Sequence, residues 1–179
     1  MSKHCGNRKN CCKEDEFIKS DTYEKCIYHA FYNENGRRYP HQYCIKTHSF
    51  ETYYNKLLSL ENKVMKCKKF DEIYALFNEC KIEGIGSLTV YDVTLRVSWN
   101  YNIHPDFLYL HAGTKVGALN AGLIKKGDKK DKLTQNEIAE KCKWLVNAEM
   151  YRIEDFLCIY KNDPCEKNLN IYLLSNQKK

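Results

Sequence analysis

The feature that most restricts how this chain can fold is a pair of helical apolar stripes divided by a glycine-bracketed reversal, FDEIYALFNECKIEGIGSLTVYDVTLRVSW at residues 70–99. In the first arm Phe70, Ile73, Tyr74, Phe77 and Cys80 recur at the helical period and share one face. Gly84 and Gly86 then flank Ile85, where the lack of a Cβ lets the chain reverse within a few residues. The second arm carries Leu88, Tyr91, Leu95 and Trp99 on one face and Val90, Val93 and Val97 on another, so it reads as a central helix with apolar contacts on two sides. Its valines lower helix propensity by a few tenths of a kcal/mol each, which packing overrides.

The run Gly84-Ile85-Gly86-Ser87-Leu88-Thr89-Val90, preceded by Ile82, resembles the helix-hairpin-helix motif of DNA-binding and DNA-repair proteins. In that family the turn's N–H groups and the start of the second helix lie against a phosphate, often with a potassium or sodium ion between carbonyl and phosphate oxygens. The resemblance implies sequence-nonspecific contact with the DNA backbone through Gly84, Ile85, Gly86, Ser87 and Thr89, and a monovalent cation at the hairpin. The physics is general, because unpaired N–H groups and the positive end of a helix dipole attract an anion. The alternative is a plain helical hairpin whose glycines serve packing.

Helix-hairpin-helix DNA glycosylases carry an aspartate about twenty residues beyond the turn, and Asp106 stands at that distance from Gly86. The resemblance gives Asp106 the catalytic role of stabilising the sugar cation as the base leaves, an electrostatic effect of the kind that dominates many enzymes. Ser87, Leu88 and Thr89 include no lysine, so the implied enzyme is monofunctional, without strand cleavage. The context Pro105-Asp106-Phe107-Leu108 departs from the family's small apolar residue before the aspartate and Thr or Ser and His after it. Helix-start electrostatics explain Asp106 equally well. GIGSLTVYDVTLRV, FLYLHAGTKVGA and EDFLCIYK are also similar to a family of small, uncharacterised bacterial proteins, which implies no activity. A third reading is a scaffold or protein-interaction module that does not bind nucleic acid.

The expected fold is mostly α, a single-domain helical bundle over residues 17–162 built around the hairpin, with a mobile arm at 1–16 and a C-terminal tail at 163–179. A net charge of +6, with lysines at 63, 66, 68 and 69 and at 125, 126, 129, 130 and 132, suits a polyanionic partner. No apolar leader or membrane-length run is present, so a cytoplasmic protein without a membrane partner is expected. Fourteen tyrosines read as amphipathic core positions with the hydroxyl at the edge.

Cys26-x2-His29 and His41-x2-Cys44 form two couples of N and S ligands that could close a tetrahedral structural zinc site, with packing cysteines and surface histidines as the alternative. Arg37, Arg38, His41 and Gln42 form a polar loop suited to phosphate or substrate. Locally, Asp21 caps a helix running to about Asn33, or Asn35-Gly36 turns a short β-hairpin between 25–32 and 37–45. Ser49 caps a helix with Phe50, Tyr53, Tyr54, Leu57, Leu58, Val64 and Met65 on one stripe. Pro105 and Asp106 open another helix, and Thr114 caps a further one with Gly117, Ala118 and Ala121 as a small-residue face and Gly122 as its end. His111 to Lys115 alternatively form a second anion site using Lys115. Thr134 and Glu137 spell a capping box, residues 148–160 a closing helix, and Ile171 to Leu174 a short strand or loop. Asp92 and Arg96 stand four apart as an ion pair, and Glu154, Asp155 and Cys158 group on the closing helix.

Overall fold

In the computed structural model, which describes residues 18–176, the apolar periodicities become nine helices and one two-stranded antiparallel pair. The fold is mostly α, as expected. The arm expected at 1–16 lies outside the described residues. By their contacts the described residues form two compact units, 18–105 and 106–176. Among them no helix is long and apolar enough to cross a membrane.

The first unit holds α1 (Tyr23–Phe31), α2 (Thr47–Leu58), α3 (Glu61–Val64), α4 (Phe70–Glu79) and α5 (Ser87–Asn100). The caps differ by a residue or two from expectation. Thr22, rather than Asp21, accepts the Lys25 N–H at the start of α1, and Lys46, rather than Ser49, precedes α2. The helix reading holds and the strands of the alternative hairpin do not form: α1 ends at Phe31, Pro40–Gln42 is a 3₁₀ turn, and one isolated bridge from Tyr32 to Arg38 closes the Asn35-Gly36 turn. The long stripe expected from Phe50 to Met65 breaks at Ser59, whose hydroxyl donates to the Lys56 carbonyl, so Val64 is buried on α3 while Met65 is exposed.

α5 is the central helix of this unit. Thr89, Val90, Tyr91, Val93, Thr94, Val97 and Ser98 are all buried, and the Thr94 hydroxyl returns to the Val90 carbonyl at 2.7 Å. Phe31, Phe50, Tyr53, Ile73, Phe77 and Ile85 join the valines in one core. Three of the tyrosines divide as their chemistry requires, with buried rings and hydroxyls on backbone carbonyls, while Tyr28 and Tyr43 are exposed. Tyr39 donates to His29 O, Tyr23 to Leu57 O and Tyr53 to Phe77 O, each carbonyl lying in the last turn of a helix. Burial pushes the Tyr23 and Tyr53 phenols well above their ordinary range, so both remain donors.

The second unit holds β1 (Leu108–Tyr109), α6 (Ala112–Asn120), β2 (Lys132–Leu133), α7 (Gln135–Lys141), α8 (Met150–Ile159) and α9 (Glu166–Asn176), with a 3₁₀ turn at Lys143–Leu145. The helix expected from Pro105 gives way to β1, which pairs Leu108 with Leu133 and Tyr109 with Lys132. Phe107 to Leu110 is a short apolar run whose periodicity suits strand or buried helix alike, and a partner strand decides the matter. The helix cap expected at Thr114 falls instead at His111, and Thr114 lies one turn inside α6. Ala121-Gly122-Leu123 ends α6 in a Schellman arrangement, with Gly122 at φ +77 and Leu123 N–H on Ala118 O at 2.8 Å. The segment around Ile171, expected as strand or loop in a tail, is the helix α9, and Leu169 and Tyr172 bury themselves in the second core.

The capping box at α7 forms as expected: Thr134 accepts from Glu137 N–H, and Glu137 accepts from Thr134 N–H at 2.8 Å. Hydrogen bonding from the Lys130 ammonium, followed by the Thr134 groups, holds the Glu137 carboxyl down at about 2 against an ordinary 4.5. Its contribution is therefore complete above pH ~4.5 and lost as pH falls through about 2. An NMR titration of the Glu137 carboxyl carbon is expected to show its midpoint near the lower value. Thr134→Ala is expected to return that midpoint part of the way to 4.5 and to cost about 1 kcal/mol; a midpoint unmoved by the substitution would remove Thr134 from the cap.

Candidate nucleic-acid interface

The anion site expected from the sequence falls on the turn between α4 and α5, whose geometry is set by three residues. Gly84 has φ +89, a left-handed conformation that L side chains rarely adopt, and a Cβ built on it would stand 3.3 Å from the Ser49 hydroxyl. Ile85 is 5% exposed and joins the core, so it pins the turn from below. Gly86 is the N-cap of α5; it is exposed, and nothing lies within 4 Å of where its Cβ would be. No side chain caps α5 at Gly86. The N–H groups of Ser87, Leu88 and Thr89 have no intrahelical carbonyl, as in any first helical turn. Ser87 is exposed and Thr89 is buried.

The other residues singled out in the sequence are distributed differently. Lys115 belongs to the second unit, on α6, and its Nζ donates to Lys130 O at 3.3 Å. The start of α6 faces an internal carboxylate, since the Thr114 hydroxyl donates to Glu154 Oε1 and Cys158 Sγ packs against Gly113. The Thr114 hydroxyl near that helix start therefore already has a partner within the second unit. Glu154 and Asp155 are both buried, and Asp155 Oδ2 accepts from Tyr172 at 2.7 Å. Asp106 is exposed on a bend before β1 and opens no helix.

Of the four zinc candidates, Cys26 is buried against Val97 O, with its thiol pushed up to about 12 by burial, and Cys44 is exposed. His29 is half-buried, and His41 Nε2 lies 2.6 Å from Asp92 Oδ2. Among the described residues no group of three or more His, Cys, Asp or Glu is placed to hold a metal ion.

The His41–Asp92 approach joins positions fifty-one apart, which no local spacing could reveal. Arg96, expected beside Asp92 through a helical ion pair, lies with its guanidinium 3.6 Å over the Tyr39 ring and donates to the Asp92 carbonyl at 3.3 Å. Arg38 lies over Phe50 and donates to Ile45 O, so it is knitted into the first unit, while Arg37 is exposed. Gln42 is fully buried.

Comparison with family models, with curated proteins and with solved structures finds no match.

Proposed function

We propose that the α4–α5 hairpin binds the phosphate backbone of DNA, without reading sequence, through the Gly84–Gly86 turn and the first turn of α5. The observation that carries this reading is Gly86: an N-cap with open space where a side chain would stand, at the positive end of a fourteen-residue helix. Glycine is an accepted N-cap, and it leaves the first-turn N–H groups of α5 without a side-chain cap. A phosphate oxygen would satisfy the same N–H groups. A net charge of +6 supports the reading by favouring polyanions.

The test is unusually clean because Gly86 has φ −85 and ψ 165, extended backbone open to any residue. Gly86→Asp places a good N-cap there, so the variant is expected to fold at least as stably as the wild type. Its carboxylate would occupy the phosphate's place. In a salt series with a labelled duplex, the wild type is expected to bind with steep salt dependence and Gly86→Asp about tenfold or more weakly. Gly86→Ser, a neutral cap, separates charge from bulk and is expected to lose less. Equal duplex affinity for wild type and Gly86→Asp would overturn the assignment.

A further inference from the structure

The second unit contains a cleft of about 420 Å³ between the segment Lys143–Ala148 and α9, lined by Lys143, Trp144, Asn147, Glu166, Asn170 and Leu173 among others. We infer that this cleft is a binding site for a nucleobase, taken either from a free nucleoside or from an unpaired position in a single strand. The site stands independently of the hairpin, in a different unit.

The size comes first. A volume of this order lies within the range of small-ligand sites, roughly 300–1,000 Å³, and holds one base with its sugar. Trp144, Ala148, Leu169 and Leu173 supply the apolar part of a lining that is otherwise polar. Trp144 is half-buried, with its ring edge-to-face with Phe156 at 6.0 Å, and its remaining surface lines the cleft beside Leu169 and Leu173. Aromatic faces of this kind stack on any base.

The rim is polar and balanced. Asn147 stands on one wall and Asn170 on the other, each with an amide that both donates and accepts. Among the described residues no hydrogen bond engages either amide. Lys143 and Glu166 add one charge of each sign, so the cleft as a whole favours a neutral ligand with mixed edges over a bare anion. Amides and carboxylates are the groups that read exocyclic amines and ring nitrogens of adenine and cytosine.

The walls are fixed. Leu169 and Tyr172 anchor α9 in the core, and the Tyr172 hydroxyl holds it to Asp155 on α8. Asn170 and Leu173 therefore present a preformed surface.

The experiment titrates the full chain by calorimetry with adenosine, uridine, ribose, a short oligodeoxyadenylate and an abasic oligonucleotide of equal length. Saturable binding of adenosine is expected, with uridine, which lacks the exocyclic amine, weaker and ribose undetected. Asn170→Leu and Trp144→Leu are each expected to weaken adenosine by about tenfold. Asn170 is exposed on α9 and its replacement leaves both cores untouched; circular dichroism verifies the fold of the Trp144 variant. Binding of adenosine and of the oligonucleotide means that the base suffices; binding of the adenylate oligonucleotide, but neither adenosine nor the abasic strand, assigns the source to single strands. Absence of heat with every ligand, equal affinity for adenosine and ribose, or affinities unchanged in Asn170→Leu would overturn the proposal. Gly86→Asp is expected to bind adenosine normally and Asn170→Leu to bind duplex normally, so either site can fail without the other.

Discussion

Replacing Gly117 by alanine is expected to destabilise the protein by about 3 kcal/mol or more, a drop in melting temperature of roughly 6–12 °C for a chain of this size. A Cβ added there would lie 2.1 Å from the Leu157 carbonyl oxygen and 2.8 Å from its carbon. Both are backbone atoms of α8, so no rotamer change relieves the clash. The helices α6 and α8 would have to separate, and with them Ala118, Leu157 and Phe156 would lose contact in the second core. Differential scanning calorimetry measures the loss. A melting temperature unchanged within a degree or so would mean that the two helices can move apart at no cost, against the close packing of protein interiors.

The largest effect in the first unit is expected from Phe31→Ala. Phe31 is fully buried and meets the rings of Phe50, Tyr53 and Tyr54 at centroid distances of 5.0, 5.9 and 5.3 Å. Truncation removes the transfer energy of the ring and leaves a cavity that three rigid aromatics cannot collapse into, at roughly 3–5 kcal/mol. That is a large share of the ~5–15 kcal/mol by which a domain is stable. In urea the midpoint is expected to fall with the slope unchanged, and Phe31→Leu to recover most of the difference. A shift in midpoint equal for Leu and Ala would show that the ring contacts, and not the volume, carry the stability.

What could be read in the sequence was whatever repeats over a few residues. The stripe Phe70, Ile73, Phe77, the glycine-bracketed turn, the valine face of α5 and the Thr134–Glu137 box all depend on neighbours within one or two turns, and all form as expected, whereas on the other expected face of α5 only Tyr91 is buried and Leu88 is exposed. The failures share a cause of the opposite kind. Leu108 and Tyr109 form a strand because Lys132 and Leu133, over twenty positions away, supply a partner. α9 has little amphipathic pattern, because Leu169 and Tyr172 are buried and Leu173 only partly so while Ile171 and Leu174 are exposed, and a pattern so sparse resembles a loop. The candidate site divides in the same way. Gly84 and Gly86 announced themselves by type and spacing, whereas the approach of His41 to Asp92 and the cleft beside Trp144 are made by tertiary packing and leave no local trace.

The three tyrosine hydroxyls on last-turn carbonyls have a consequence for how the first unit comes apart. Helix ends ordinarily fray one at a time, since their last carbonyls lack intrahelical donors and water replaces them at little cost. Here α1 is closed by Tyr39, α2 by Tyr23 from α1, and α4 by Tyr53 from α2. Each ending is thus secured by a ring rooted in another element, and fraying at one end requires pulling out a buried aromatic, Tyr23 or Tyr53 from the common core or Tyr39 from beneath Arg96. Opening is then shared among α1, α2 and α4, and the unit behaves as a single cooperative block in which the hairpin at α4–α5 is held by residues near the beginning of the chain. The three-residue turn at Gly84–Gly86 gains its rigidity from this linkage, since its own backbone has few internal hydrogen bonds to supply it.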